Sequence, residues 1–187
     1  MSETLALAVL DVAGAPAQTA KLVYPGNSVL IIGAGGKSGL LSLHQAQKQA
    51  GITGQVIALE YSKEACKKIE KLGLADVVIQ GDATDGVQVY EEVKEITGGH
   101  MVDVVINNVN IPNTEMSSIM STRDGGVIYF FSMATSFTKA ALGAEGIGKD
   151  VEMIIGNGYT RGHAAIALQT IRENDQLRQL FNHLYTH

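Results

Sequence analysis

Ser28-Val-Leu-Ile-Ile-Gly-Ala-Gly-Gly-Lys-Ser-Gly39 decides the fold. Four consecutive apolar residues run into clustered glycines, and an amphipathic segment follows at once. An unbroken apolar run of this kind is the mark of a strand covered on both faces. The glycines then allow a sharp turn into a helix whose N-terminus is left open. Unpaired backbone N–H groups and the positive end of the helix dipole converge there on one spot. Such a spot suits a phosphate or pyrophosphate.

Strand-helix alternation spreads outward from this loop. Upstream, residues 3–20 read as a helix within a leading segment 1–22, although Gly14 and Pro16 weaken its later part. Tyr24-Pro-Gly-Asn27 is turn chemistry. Downstream, the helix after the glycines runs to about Ala50, and Gly51 stops it. Strands are expected at 29–32, 56–59, 76–79, 102–106, 126–131 and 151–155. Helices are expected at 63–72, 86–96, 113–121 and around 138–144. Residues 163–185 read as helical with a break near Asn174-Asp175, within a C-terminal segment 160–187. Six short apolar strands alternating with helices imply one α/β domain over 1–187, a Rossmann-type doubly wound parallel sheet with helices on both faces. Right-handed crossovers and two mononucleotide halves give the strand order 3-2-1-4-5-6.

Composition narrows the function. The chain has 187 residues, 45% hydrophobic and 18% charged, which is enough for a packed core and wrong for disorder. Its net charge is −5 and no basic stretch stands out, which argues against nucleic acid as a partner. No apolar run approaches the ~20 residues of a membrane span, and the N-terminus lacks signal-peptide character, so a soluble cytoplasmic protein is expected. With one cysteine, Cys66, no intrachain disulfide or cysteine metal cluster can form. Cys66 reads as a packing residue. His44, His100, His163, His183 and His187 are scattered, and no metal site is expected.

The candidate site gathers at the ends of the strands. Gly33, Gly35 and Gly36 match most of G-x-G-x-x-G, one glycine for the turn and another for close approach of a pyrophosphate. Ser38 stands at the third glycine position, and Gly39 is placed to supply the helix–strand packing instead. A triphosphate P-loop is excluded, because Ile31 occupies the position five before Gly36 that must be glycine. Lys37 stands within reach of a phosphate or in solvent. Glu60 ends the second strand, 25 residues beyond Gly35, with Tyr61 and Ser62 after it. A carboxylate there accepts hydrogen bonds from the adenosine ribose and repels a 2′-phosphate, which favours NAD over NADP. Asp82 and Ala83 are candidates for the adenine pocket, Asp82 being equally suited to capping a helix. Asn107-Asn-Val-Asn110 and Ser132-Met-Ala-Thr-Ser136 end the fourth and fifth strands. Asn108, Val109, Ser132 and Met133 are therefore candidates to lie near a nicotinamide, and the asparagines are equally suited to forming a turn.

Several segments carry a more specific likeness. Leu10-Asp-Val-Ala-Gly-Ala-Pro-Ala17, Leu74-Ala-Asp-Val-Val78 and Asp103-Val-Val-Ile-Asn107 resemble the cofactor domain of medium-chain dehydrogenases. Gly33-Ala-Gly-Gly-Lys-Ser-Gly-Leu-Leu41, Asn108-Val-Asn-Ile-Pro-Asn-Thr-Glu-Met-Ser-Ser118 and Phe130-Phe-Ser-Met-Ala-Thr-Ser-Phe-Thr-Lys-Ala-Ala-Leu-Gly-Ala-Glu-Gly146 resemble the L-erythro-3,5-diaminohexanoate dehydrogenases of bacterial lysine fermentation. The resemblance implies NAD-dependent oxidative deamination of a small amino acid to 5-amino-3-oxohexanoate and ammonia. It also implies a substrate domain ahead of the cofactor domain, absent from these residues. The chain alone is then expected to be inactive, and no catalytic residue is assigned. Two other readings use the same features. An S-adenosylmethionine-dependent methyltransferase shares the glycine-rich loop, the acid at Glu60 and the Asp82-Ala83 pair, but has a different end to its fourth strand. A non-catalytic dinucleotide-binding module would signal through assembly. Edge strand 151–155 is the expected seam of a homodimer.

Overall fold

The computed structural model describes residues 1–156 and 158–185, so His187 lies outside the described residues. Six strands form one parallel sheet: β1 (Ser28–Ile32), β2 (Gln55–Glu60), β3 (Val77–Gln80), β4 (Val102–Asn107), β5 (Thr122–Phe130) and β6 (Val151–Ile155). Their order is β3-β2-β1-β4-β5-β6, the arrangement expected from the alternation. The helices are α1 (Glu3–Leu10), α2 (Gly14–Leu22), α3 (Lys37–Ala50), α4 (Lys63–Leu72), α5 (Gly86–Ile96), α6 (Glu115–Ser121), α7 (Phe137–Ile147), α8 (His163–Glu173) and α9 (Asp175–Tyr185). Among the described residues no helix is long and apolar enough to cross a membrane.

Alternation along β1 shows why the sheet must be covered twice. Val29 and Ile31 enter one core with Leu5, Val9, Leu41, Leu43, Ile69, Ile171 and Phe181, which come from α1, α3, α4, α8 and α9. Leu30 and Ile32 enter a second core with Val89, Val93, Ile119 and Ala140, from α5, α6 and α7. Successive side chains point to opposite faces, so four apolar residues in a row serve two cores.

Three expectations are corrected. The leading segment is two helices rather than one. Pro16 has no N–H to donate and its ring crowds the carbonyl four residues back, so a continuous helix cannot pass it. Restarting at Gly14 puts Pro16 in a first turn, where the missing donor costs nothing. The short helix after β4 starts at Glu115 rather than at 113, because Asn113 takes a left-handed conformation (φ +69°). The fifth strand begins at Thr122 rather than 126. Its register against β4 jumps from Val102↔Thr122 to Val104↔Val127, and Gly125 (φ +71°) sits in the bulge between.

Asp103 ties this region together. Its carboxylate accepts from the Ser28 amide (2.7 Å), the Ser28 hydroxyl (3.0 Å) and Arg123 Nε (2.6 Å). Burial pushes the carboxyl up, but the donors from Arg123 and Ser28 outweigh it and hold it below the usual carboxylate range. A lowered folded value means that this stabilisation is complete above the unfolded value and is lost as pH falls through the folded one. Asp103→Asn is expected to lose about 1–2 kcal/mol at neutral pH and to flatten the acid limb of the stability profile. Urea denaturation between neutral and acid pH checks both, and an unchanged acid limb would remove Asp103 from the account.

Candidate functional site

The carboxyl ends of β1 and β4 part at the middle of the sheet, where open α/β folds place their ligands. β1 is followed by Gly33, whose φ of +73° only glycine adopts freely. A Cβ on Gly33 would also strike Val109 Cγ2 at 2.6 Å. The turn then enters α3, where Gly39 lies against the loop so closely that a Cβ would meet the Gly33 carbonyl oxygen at 2.1 Å. Gly39 therefore carries the close packing that the third fingerprint glycine supplies in the motif.

The loop amides are less open than the sequence suggests. Gly33 and Ala34 donate to the Leu59 carbonyl at 3.0 and 3.2 Å, which splices the loop onto the end of β2. Gly35 donates to Glu60 Oε2 at 2.8 Å. A Cβ on Gly35 would meet Ala65 Cβ at 2.6 Å and Glu60 Oε2 at 2.8 Å. Gly35 thus makes room for Glu60 and α4 while lining the cavity described below. What stays open is the first turn of α3, which begins at N-cap Gly36 without any side-chain cap. A Cβ on Gly36 would meet only the Gly33 carbonyl oxygen, at an ordinary 3.7 Å.

Glu60 faces this turn. Its second oxygen, Oε1, accepts from the Ser62 amide at 3.0 Å, so both oxygens are oriented by backbone donors. Beneath it, Cys66 Sγ contacts the Glu60 carbonyl at 3.5 Å. Burial, then the charges of Glu60 and Glu70, push the Cys66 thiol up, so it stays protonated and packs as a small hydrophobe.

The loop, Glu60 and the ends of β3 and β4 enclose a cavity of about 640 Å³. Gly33, Gly35, Gly36, Glu60, Tyr61, Asp82, Ala83, Asn108 and Val109 line it, together with Leu59, Ala65, Gly81, Thr84, Asn110 and Ile111. Asp82 accepts from the Thr84 amide and hydroxyl at 2.8 and 2.7 Å, and these two bonds hold its carboxyl below the usual range. The helix cap after β3 is Asp85, not Asp82. The Ala83 carbonyl accepts from Ser117 Oγ at 2.6 Å, which anchors the β3 loop to α6.

Asn107 and Asn108 divide their work. Asn107 is fully buried and donates to Thr114 Oγ1 and Ser118 Oγ at 2.9 and 3.0 Å, while accepting from the Val109 amide at 3.1 Å. It builds the turn. Asn108 lines the cavity, and both polar atoms of its side chain are buried without a hydrogen-bond partner. A buried amide left in that state costs stability unless something pairs with it.

Five candidates do not line the cavity. Lys37 projects from the other side of α3, ion-paired to Asp11 at 2.7 Å and lying over the Tyr185 ring. Ser38 lies on the same turn, outside the lining. Ser62 caps α4 by accepting from the Ala65 amide. Ser132 is buried and accepts from the Ala134 amide, whereas Met133 is 87% exposed beyond the end of β5. The wall residues that sequence reasoning missed, Leu59 and Ala65, are apolar and belong to no motif, and Ile111 lies in the Asn108–Ser118 segment without being named as a candidate. Gly81 and Thr84 flank the Asp82-Ala83 pair, and Asn110 lies inside the Asn107–Asn110 segment.

Comparison with known proteins places the chain. It is 58% identical over 185 residues to L-erythro-3,5-diaminohexanoate dehydrogenase of Acetoanaerobium sticklandii, covering 99% of this chain and 54% of that protein. The enzyme of the same name from Fusobacterium nucleatum subsp. nucleatum is 51% identical over the same share of each. The chain thus spans about half the length of these relatives. Among solved structures, AibC superposes with a TM-score of 0.70 at 23% identity, over 91% of this chain and 50% of that one, which shows the shared fold. Residues 39–158 match the zinc-binding dehydrogenase family. With its six-stranded doubly wound sheet and dinucleotide-type glycine turn, the chain belongs to that family.

Proposed function

We propose that this chain is the NAD-binding part of an amino-acid dehydrogenase that deaminates 3,5-diaminohexanoate or a close analogue. The observation that carries the reading is a single cavity, bounded by the uncapped first turn of α3 and by the oriented carboxylate of Glu60. The turn offers amide donors to a diphosphate, and Glu60 offers an acceptor to ribose hydroxyls. Ala83, Leu59 and Ile111 supply an apolar wall for adenine. Asn108 lends a buried side-chain amide that lacks a partner. When bound, the nicotinamide would accept a hydride from the substrate carbon. The residues of this chain hold the cofactor and exclude water, and the substrate contacts belong to the further length present in the relatives.

The family name raises zinc. Among the described residues no group of three or more His, Cys, Asp or Glu side chains could hold a metal ion. A zinc site does not fit the described residues, and no step is assigned to one.

Calorimetric titration tests the reading: NAD should bind in the micromolar range, and S-adenosylmethionine should give no heat. The reverse pattern would favour a methyltransferase. Glu60→Gln should lower the preference for NAD over NADP by about 10-fold, since removing the negative charge removes the repulsion of a 2′-phosphate. An unchanged ratio would move the discrimination elsewhere. The assembly reading is a homodimer. Among the described residues β6 pairs only with β5, which leaves its other edge for the same strand of a second copy. A monomer by light scattering at high protein concentration contradicts it.

A further inference from the structure

A second cavity, of about 410 Å³, lies between α2 and the segment that follows β6. Its walls carry two cations, Lys21 and Arg161, and no acid. Among the described residues neither cation forms an ion pair, whereas Lys37, Lys48, Lys68, Arg123 and Arg178 all do. In a chain of net charge −5, two uncompensated cations on one concavity form a local reversal of sign. Gln18 forms its base. That side chain is 7% exposed and its Oε1 accepts from Thr160 Oγ1 at 2.6 Å, which locks the following segment onto α2. The backbone contact is equally close, since a Cβ on Gly14 would meet the Gly158 carbonyl oxygen at 2.2 Å. Tyr159 adds an aromatic ring to the lining, and Ala17, Ala20 and Ile166 supply its aliphatic part.

We propose that this cavity is a binding site for the carboxylate of a short aliphatic acid. Arg161 presents a planar fork that matches a carboxylate with two parallel bonds, and Lys21 adds a point charge. Ala17, Ala20 and Ile166 cover the methylene chain. This binding does not rest on the function proposed above.

The test is an amide-shift titration of the chain with hexanoate, run beside hexanamide, inorganic phosphate and NAD. Hexanoate should shift Gln18, Thr160, Arg161 and Ile166 with a dissociation constant of about 1–10 mM. Hexanamide should not. Arg161→Gln should weaken hexanoate at least about fivefold with NAD affinity unchanged, and Arg161→Lys should restore part of the loss. Arg172→Gln, an exposed cation lining a different cavity, should change nothing. No shift with hexanoate, equal shifts with hexanamide or phosphate, or indifference to Arg161→Gln would each overturn the proposal. Hexanoate binding without NAD binding would leave this site standing and remove the cofactor reading, and the opposite result would do the reverse.

Discussion

Gly39→Ala should cost the fold at least about 3 kcal/mol, the largest effect expected of any single methyl group in the glycine turn. The added carbon would lie 2.1 Å from the Gly33 carbonyl oxygen and 2.7 Å from Ala34 Cα and carbonyl carbon. All three are backbone atoms, so no side-chain rotation relieves the contact. Gly33 and Ala34 are in turn fixed to Leu59 by two hydrogen bonds. Moving the loop away from α3 would therefore break the splice between β1 and β2 at the centre of the sheet. Urea denaturation should show a lower midpoint with an unchanged slope. A loss under about 1 kcal/mol would mean that α3 can slide, and that the turn is not the rigid element described.

Gly36→Val should leave the fold standing and weaken NAD by about 100-fold. Gly36 has φ −76° and ψ 173°, an extended conformation open to any residue, and its Cβ would meet nothing closer than 3.7 Å. Replacing glycine at this N-cap should cost less than about 1 kcal/mol. The valine methyl groups would nevertheless occupy the space beside the open amides of α3. The contrast with Gly39 separates two roles within one short motif: Gly39 permits the fold, and Gly36 keeps the cavity open. Calorimetry and thermal melting on the same sample check both halves. Unimpaired NAD binding by folded Gly36→Val would show that the dinucleotide does not use this turn.

The layering was legible in the sequence because each central strand is a short apolar run whose alternate residues serve two cores. The glycine turn and Glu60 were legible for a related reason: their spacing is set locally, by one strand, one turn and one helix. Lys37 shows where local reasoning stops. Its position on α3 is fixed by the motif, but its direction is fixed by Asp11 and Tyr185, which are distant in sequence and adjacent only in the fold. Asn107 and Asn108 make the same point more sharply. They are identical neighbours, yet alternation along the strand turns one toward Thr114 and Ser118 and leaves the other in the cavity wall. Ser132 and Met133 end the right strand, but the backbone beyond β5 curls Ser132 onto Ala134 and leaves Met133 in solvent. Leu59 and Ala65 gave no signal, because an apolar wall facing a ligand reads like any other apolar residue.

Amide-shift mapping of a titration with NAD addresses the central claim most directly. Saturable shifts should concentrate at Gly36, Lys37 and Ser38, whose backbone donors open the first turn of α3, and at Glu60, Ala83 and Asn108 around the same cavity. Shifts confined to any other face of the molecule, or none on a folded sample, would contradict it.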